Sequence, residues 1–436
     1  MKYLLSVMAF NLYLYGATLN GLIDYAMKHS TVVKQSKAQI ALSEVQREAS
    51  HAAQLGSIDL VGSYTHYNLP RTLVPLTPGS LLSDPNAAKS IATTKDFFGT
   101  GVKYSVPLFT GFAQTRQVEM DDIATQLSRS KLSLTKEQLA YNVASLYLSI
   151  LALQDMYSAQ KKHVQALQKL KGIIEKEVTF GKKAQIDLLK AESDLYGNRS
   201  YLEVLKGNIA MTKASLASLV GKDHIGSIKP INVSVKKPHY SINRLLQESS
   251  HLDKVHIAEL NIKKADKGIE KSRSGRYPQV SLDSYYGYNY GNNDNNNAFA
   301  GDFNSEKNWQ VGVSAKWTLY DFGKNDANTQ KAKISRLQAT FSKEQTLLDL
   351  RKSLTEAVEK MKQEYANYLA NRKQLALAKQ SEKIERVRYK NGVSTINDLL
   401  YATSQRHVAS AKLIESKYNY QKGKFYMDYL LEKGVK

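Results

Sequence analysis

Four stretches of the chain alternate hydrophobic and polar residues with a period of two. They occupy residues 57–67, 97–108, 279–290 and 308–319. This period predicts β-strands with one apolar and one polar face, and about ten residues is the length that crosses a membrane in a barrel. A soluble half-buried hairpin would show the same pattern in any single strand, but four such strands favour a membrane sheet. The clearest strand places Trp309, Val311, Val313, Ala315, Trp317 and Leu319 on one face, and Gln310, Gly312, Ser314, Lys316 and Thr318 on the other.

Two long stretches of the chain contain no proline. One runs from residue 108 to 229, and the other runs from residue 279 to the end. In both, apolar residues recur every seven positions, which predicts long helices packed as left-handed coiled coils. A helix of roughly 60 residues would be on the order of 90 Å long. The heptad positions are Val143, Ile150, Tyr157 and Val164, and then Leu347, Leu354, Met361, Tyr368 and Leu375.

Each helical stretch contains one copy of the motif Gly-x5-Asp-Leu-Leu-x-Ala. The copies lie at Gly181–Ala191 and Gly392–Ala402, which are 211 residues apart. A glycine suits the left-handed conformation in which many helices end. Each copy is therefore predicted to form the tip of a helical hairpin.

The repeated motif divides the chain into two similar halves. Residues 18–220 form the first repeat and residues 241–436 the second, each with two strands and two helices that meet at a tip. Residues 221–240 contain glycine, two prolines and a β-like run at 231–235. We expect this segment to be a linker with a small β element.

Residues 1–17 have the composition of a secretory signal peptide. Lys2 precedes an apolar run from Tyr3 to Tyr15, and small residues follow at Gly16 and Ala17. Such a segment directs export and is removed from the mature protein. The alternative is an ordinary buried helix.

The 436-residue chain carries a net charge of +21, from 61 Lys and Arg against 40 Asp and Glu. The lysines are spread along the helical stretches among Glu, Gln and Ser, which is typical of solvated helix faces. Nucleic-acid binders combine such charge with a recognition motif, and the sequence contains none. Nucleic acid is therefore not expected as a partner.

The sequence contains no recognisable catalytic or metal-binding pattern. The absence of cysteine excludes disulfides, thiolate ligands, cysteine nucleophiles and an N-terminal lipid-modified cysteine. The nine histidines form no pair at metal-ligand spacing, and no serine elbow, phosphate loop or dinucleotide fingerprint occurs. We expect no enzyme activity, no cofactor and no bound metal.

Four strands are too few to close a membrane barrel. An open sheet edge is not tolerated in lipid, because its backbone groups would lack hydrogen-bond partners. The chain is therefore expected to form an oligomer, and three copies would supply about twelve strands. With the polar strand faces inward, the assembly would enclose a water-filled conduit.

Two junctions between a strand and the following helix resemble those of a known family. The first reads Val106-Pro107-Leu108-Phe109-Thr110-Gly111-Phe112, and the second reads Trp317-Thr318-Leu319-Tyr320-Asp321-Phe322-Gly323. Pro107 and Thr318 are separated by the same 211 residues as the two tips. With these junctions and tips, the chain resembles the TolC-like outer membrane efflux protein family over essentially its whole mature length. Pro107, Gly111, Thr318 and Gly323 are the junction residues.

The resemblance implies a mixed α/β membrane protein. The expected assembly is a homotrimer with a twelve-strand transmembrane β-barrel in bacterial outer-membrane lipid, continued by a twelve-helix periplasmic α-barrel. The family implies a passive exit duct for a tripartite efflux or type I secretion system. Its partners would be a periplasmic adaptor protein and an inner-membrane transporter of the RND or ABC type.

The resemblance also assigns the closed aperture to the second tip. Asp398 matches the first of two carboxylates that ring this aperture in the family, and Tyr401 stands where the second is often found. A three-fold ring of Asp398 would favour cations. The alternative role for Asp398 is helix capping, because Asp187 occupies the matching position in the first repeat.

Further tip residues correspond to a lock that holds the closed helices together. Tyr389 and Asp187 match two members of this lock, whereas Ser394 replaces the arginine that often completes it. Lys182, Lys183 or Arg388 is a candidate substitute for that arginine.

We expect the tips themselves to contact the adaptor. The residues assigned to this contact are Gly181, Lys182, Lys183, Gly392 and Val393. A stand-alone outer-membrane porin is an alternative function, but it has no use for such long helices. A secreted coiled-coil structural protein or adhesin is another, but it leaves the four strands unexplained.

Overall fold

The computed structural model describes residues 17–79, 91–294 and 301–434. Apart from Ala17, the predicted signal peptide lies outside these residues. The helices are α1 (Leu19–His29), α2 (Thr31–Ala52), α3 (Ala113–Thr179), α4 (Gln185–Val220), α5 (Ile242–Glu248), α6 (Asp253–Ser272), α7 (Lys324–Lys390) and α8 (Ile396–Leu430). The strands are β1 (Ser57–Thr72), β2 (Thr93–Phe109), β3 (Gln279–Asn292) and β4 (Phe303–Lys316).

All four strands lie in one of two compact units, formed by residues Ile40–Leu127 and Glu259–Ser342. They form a single antiparallel sheet in the order β1-β2-β3-β4. β1 and β4 are therefore edge strands, and each has one side without a strand partner among the described residues.

The strands are longer at their loop ends than the alternation predicts. β1 continues to Thr72 and β2 begins at Thr93, whereas the pattern ended at residue 67 and resumed at residue 97. β4 likewise begins at Phe303, five residues before the start at residue 308 that the alternation predicts. Backbone pairing continues there without the side-chain alternation that marks the middle of each strand.

At its other end, β4 is shorter than predicted, because it stops at Lys316 and not at residue 319. Lys316 pairs with Gln279, the first residue of β3, which directly follows Pro278. Proline has no N–H to donate to a neighbouring strand. The chain turns away at this point, and the indole N–H of Trp317 donates to the carbonyl oxygen of Arg276 at 3.1 Å.

The register divides the sheet into a polar and an apolar face, because directly paired residues lie on the same face. One row on the polar face contains Asp59, Lys103, Tyr285 and Gln310. The next row on the apolar face contains Leu60, Val102, Tyr286 and Trp309. Leu60 and Trp309 are 84% and 67% exposed, so this face presents large hydrophobic side chains outward.

The helices of the described residues include none that is both long and apolar enough to cross a bilayer.

The second compact unit is helical and contains residues up to Gln39, Ser128–Ala258 and from Lys343 onward. α3 and α7 each have 67 residues, which corresponds to about 100 Å of helix. Within this unit, the heptad residues Val143, Ile150, Leu354 and Met361 are almost completely buried. Leu347 departs from the pattern and is 41% exposed.

A hydrophobic core joins α1, α3 and α4 in the helical unit. Its members include Leu22, Ala26, Val143, Tyr147, Ile150 and Leu216. Tyr147 is fully buried, and its hydroxyl donates to the carbonyl oxygens of Ala17 at 3.1 Å and Lys229 at 2.6 Å. These bonds attach α3 to both the start of the described chain and the linker.

The linker at residues 221–240 contains less β structure than its sequence predicts. The β-like run at 231–235 is not a strand, and the one bridge in the described linker joins Ile228 to Ala17. The hydroxyl of Tyr420 on α8 donates to Lys236 O at 2.5 Å, so the linker is also held through side-chain bonds.

Two histidines pack against each other between α3 and α8. The rings of His163 and His407 stack with centroids 4.5 Å apart, and His163 is only 2% exposed. Burial, His407 and Arg406 lower the pKa of His163 to about 4. Burial and Arg406 also lower the pKa of His407. Both rings are therefore neutral at neutral pH.

We predict that acid destabilises the helical unit through His163. His163 takes up a proton near pH 6.5 in the unfolded chain and only near pH 4 in the folded chain. The contribution of the neutral His163 ring to the free energy of unfolding is therefore fully present above pH 6.5 and is lost as the pH falls toward 4. The loss should approach about 3 kcal/mol. The midpoint temperature of thermal unfolding should depend less on pH across this range in His163→Gln than in the unmodified chain.

The control is His256→Gln, which changes a histidine at an exposed position on α6. If the midpoint temperature varies equally with pH in all three proteins, the prediction is wrong.

Candidate functional site

Both predicted tips end their first helix with the same backbone geometry. Gly181 has φ of +71°, and Gly392 has φ of +74°. In the first tip, Gly181 N donates to Val178 O at 2.9 Å, and Lys182 N donates to Glu177 O at 2.7 Å. The matching bonds in the second tip join Gly392 to Tyr389 and Val393 to Arg388. This is the Schellman arrangement, which satisfies the last carbonyl groups of a helix.

The two tips pack against each other around a small hydrophobic cluster. It consists of Ile174, Ala191, Tyr389, Ile396 and Leu399, each at most 7% exposed. Its members come from α3, α4, α7 and α8. All four helix ends are therefore held together within one chain.

The second helices of the tips begin differently. α8 begins at a capping box, in which Thr395 Oγ1 accepts from Asp398 N at 3.3 Å and the Asp398 carboxylate accepts from Thr395 N at 2.9 Å. α4 has Ala184 at the corresponding position and no side-chain cap. A capping residue typically contributes about 1 kcal/mol to helix stability.

Asp398 therefore makes the helix-capping contact that the sequence raised as its alternative role. Its carboxylate also accepts a hydrogen bond from the Thr395 hydroxyl at 2.7 Å. This hydroxyl and then the backbone N–H of Thr395 hold the pKa of Asp398 below its usual range. The side chain remains exposed and ionised, and Tyr401, three residues later, is 68% exposed.

Asp187, the counterpart of Asp398, lies near a buried tyrosine. Burial, and then the charges of Glu177 and Asp187, raise the pKa of Tyr389 to about 12. Tyr389 is 7% exposed, and its hydroxyl has no hydrogen-bond partner among the described residues. The ammonium group of Lys183 lies 4.3 Å from the centre of the Tyr389 ring, which is a cation–π contact.

Of the three basic residues that the sequence offered as substitutes for an arginine, Lys183 is the one whose side-chain cation lies on the Tyr389 ring. Arg388 instead bonds to Glu385 at 2.9 Å, and Lys182 is exposed. The buried hydroxyl of Ser394 also lacks a hydrogen-bond partner within the described parts of the chain.

The exposed side chains beside the tip glycines are apolar, amide or basic. Phe180 is 75% exposed and Val393 is 66% exposed, and each is adjacent to a tip glycine. Lys182 follows Gly181 and is also exposed. Neutral and positive groups therefore form this surface.

The junction residues lie in the sheet unit, and each junction has a glycine and a neighbouring phenylalanine with positive φ. Gly111 and Phe112 have φ of +62° and +68°, and Phe322 and Gly323 have φ of +55° and +88°. A Cβ at Gly111 would lie within 3 Å of Ser274 O, so this junction requires glycine.

The two junctions are not alike in strand structure. Pro107 lies within β2 next to a register shift, whereas Thr318 lies two residues beyond β4. The second junction instead uses Asp321, whose carboxylate accepts from the backbone N–H groups of Gly323 at 3.1 Å and Asn325 at 2.8 Å.

Two further residues that were not expected from the sequence shape the tips. Glu177 lies beside Tyr389, and its Oε2 is buried without a hydrogen-bond partner in the described residues. Nothing in the local sequence distinguishes it from the other helical glutamates. Thr395 was detectable, because Thr-x-x-Asp before an apolar run is a capping-box signature.

In the described part of the chain, no three histidine or carboxylate side chains are grouped so that they could hold a metal ion.

Comparison with known proteins relates these features to a family. The model of the outer membrane efflux protein family matches residues 22–222 and 242–423. Outer membrane protein TolC of Vibrio cholerae is 21% identical over 390 residues, which cover 89% of this chain and 86% of that protein.

Solved structures of outer-membrane proteins share the fold. VceC from Vibrio cholerae aligns with a TM-score of 0.75 at 16% identity, over 96% of this chain and 97% of that one. The open state of the MtrE channel from Neisseria gonorrhoeae aligns with a TM-score of 0.73 at 16% identity, over 96% and 89% of the two chains. The chain belongs to the outer membrane efflux protein family, whose members are channels and not enzymes, and it is an efflux transport protein of the outer membrane with a large periplasmic part.

Proposed function

We propose that the protein is the passive exit duct of a tripartite efflux or type I secretion system. An inner-membrane transporter of the RND or ABC type would supply the energy, and a periplasmic adaptor would connect it to this duct. The pair of exposed hairpin tips, each at the end of a 67-residue helix, is the observation that carries the proposal. A stand-alone porin needs no such tips.

The two edge strands support a homotrimer. In the order β1-β2-β3-β4, all neighbours are antiparallel, so β4 of one copy would run antiparallel to β1 of the next. Copies can therefore join without breaking the pattern, and three of them give the proposed twelve-strand barrel. The helices that follow the strands would form the twelve-helix periplasmic tunnel.

The unsatisfied polar atoms at the tips support contacts beyond one chain. Buried polar groups are nearly always hydrogen-bonded, yet Glu177, Tyr389 and Ser394 each retain a buried atom without a partner in the described residues. Neighbouring tips of a closed trimer would bring further groups to these atoms. We assign Tyr389, Asp187, Ser394 and Lys183 to the contacts that hold the entrance closed.

We further assign the exposed ends of the tips to adaptor binding. Gly181 and Gly392 set the turns, and Phe180, Lys182 and Val393 present exposed side chains there. An adaptor that matches this surface would offer an apolar groove with acidic residues near it, because opposite charges select and orient partners.

We predict that the double variant Lys182→Glu, Lys183→Glu captures less adaptor. The reversed charges would repel the acidic partner surface and remove the cation that lies on Tyr389. Pull-down of the adaptor from cells with the purified trimer measures the effect. Lys161→Glu, Lys162→Glu reverses two adjacent exposed lysines on α3 and should leave capture unchanged. Equal capture by both variants would contradict the assignment.

A crosslinking experiment tests the proposed function as a whole. Because the chain has no cysteine, a single Lys183→Cys substitution can carry a photo-crosslinker in intact cells. Capture of a periplasmic adaptor is expected, and the transporter that it binds would identify the class of cargo. If a folded outer-membrane trimer captures nothing, the duct proposal fails and the porin function is favoured.

The aperture would be lined by a three-fold ring of Asp398, with Tyr401 three residues along α8. Losing this ring should weaken the block of the channel current by divalent cations roughly ten-fold. We predict this change for Asp398→Asn in single-channel recordings with Mg²⁺ on the helical side. The substitution also disturbs the capping box, so Thr395→Ala serves as the control that breaks the box but keeps the charge. Similar Mg²⁺ block in Asp398→Asn and the unmodified channel would exclude Asp398 from the aperture.

A further inference from the structure

An aromatic side chain lies among the charged and amide groups in the middle of the polar face of the sheet. Tyr285 on β3 is directly paired with Lys103 on β2 and with Gln310 on β4. Lys103 is in turn paired with Asp59. A tyrosine ring that extended from this row would project from the wall of any pore that the polar face lines.

The next row toward the loop end has glycines at its two central positions. Gly101 and Gly287 are paired directly across β2 and β3, between Val61 and Asn308. A Cβ at Gly101 would lie 2.8 Å from Gly287 Cα, and a Cβ at Gly287 would lie 2.7 Å from Gly101 Cα. The two backbones therefore approach more closely than strands with side chains allow. The pair leaves a shallow recess in the polar face.

The Tyr285 ring occupies this recess. A Cβ at Gly101 would lie 2.8 Å from Tyr285 Cε2, and a Cβ at Gly287 would lie 2.5 Å from the Tyr285 hydroxyl. The ring thus extends along the strand over both glycines and does not point straight out from the sheet. It is half-buried as a result.

Lys103, the direct partner of Tyr285, leans the opposite way. Its ammonium group lies 3.4 Å from the Asp283 carboxylate, in the row toward the helical end, and the hydroxyl of Ser105 also donates to Asp283. This ion pair keeps the lysine side chain away from the recess. The two longest side chains in the centre of the row are therefore both directed along the wall.

We infer that Gly101 and Gly287 let the Tyr285 ring lie flat against the wall and so keep the pore through the outer membrane wide at this level. The inference rests on the proposed function, because the polar face must line a pore. With three copies, three rings lie against the wall at one level. A side chain at Gly101 would displace each ring into the lumen, and the three displaced rings would narrow the pore together.

The absence of cysteine allows access through the pore to be measured from outside the cell. Ser57 lies on the polar face in the row of Ser105 and Asp283, one row closer to the helical end than Tyr285. In a Ser57→Cys background, membrane-impermeant maleimides with small and large polar groups are added to intact cells. The rate at which each labels the thiol reports passage past Tyr285, whatever the state of the periplasmic aperture.

We expect Gly101→Ala to slow labelling by the large reagent and to leave labelling by the small reagent nearly unchanged. The double variant Gly101→Ala, Tyr285→Ala should restore the rate for the large reagent, because no ring remains to be displaced. Gly312→Ala is the matched control, since Gly312 lies on the same face and a Cβ there meets nothing within 4 Å. If slow labelling persists in the double variant, backbone distortion and not the ring narrows the pore, and the inference is wrong.

Tyr285→Ala alone provides a test that does not depend on the folding of Gly101→Ala. A ring that already lies flat blocks little of the pore, so its removal should leave the labelling rate for the large reagent nearly unchanged. A strong increase would mean that the ring projects into the lumen, which overturns the inference. If even the small reagent fails to label Ser57→Cys in a folded outer-membrane protein, the polar face does not line an open pore, and the proposed function fails together with the inference.

Discussion

The backbone of the four-strand sheet needs hydrogen-bond partners that the described residues of a single chain do not supply. β1 and β4 each have one side without a strand partner among the described residues, and a lipid bilayer offers no substitute for water at such an edge. The apolar face of the sheet also needs to be covered, because residues such as Leu60 and Trp309 are largely exposed. Lipid at that face and further copies at both edges would meet both requirements. The proposed oligomer, barrel and duct all depend on this constraint.

The two tips of the helical unit share one backbone geometry but differ in their side-chain contacts. The two tips have the same left-handed glycine and the same pair of helix-ending hydrogen bonds. However, Thr395 caps α8 and holds Asp398, whereas Ala184 leaves Asp187 without such a bond and near Tyr389. The matching backbones therefore carry different side-chain contacts, and the roles proposed for Asp398 at the aperture and for Asp187 and Tyr389 in closure rest on that difference.

On the polar face of the sheet, two glycines pack closely against an aromatic ring. Gly101 and Gly287 allow two strands to approach, and the Tyr285 ring covers the space they leave. A residue with a large side chain can thus lie in the wall of a conduit without occupying its centre. Lys103 in the same row points toward Asp283. The charges on this face are therefore partly paired, although the whole chain has a net charge of +21.

Local sequence was sufficient to predict the existence of the strands, the long helices and the tips. The alternation around Trp309, the proline-free heptads and the two copies of the Gly-x5-Asp motif depend only on neighbouring residues. A family resemblance could also be stated from short motifs, and the family match covers most of the chain.

Contacts between distant segments determined the strand ends, the structure of the linker and the side-chain contacts at the tips and on the sheet. β4 ends at Lys316 because its partner strand begins just after Pro278, and the predicted β run at 231–235 found no strand to pair with. Lys183, and not Lys182 or Arg388, places its cation on the Tyr389 ring. This contact depends on how α3, α4 and α7 pack. The orientation of Tyr285 depends on a glycine more than 180 residues away. Sequence periodicity reports which face of a segment is apolar, but only the packed structure determines which side chains from distant segments meet, because those contacts depend on register and rotation.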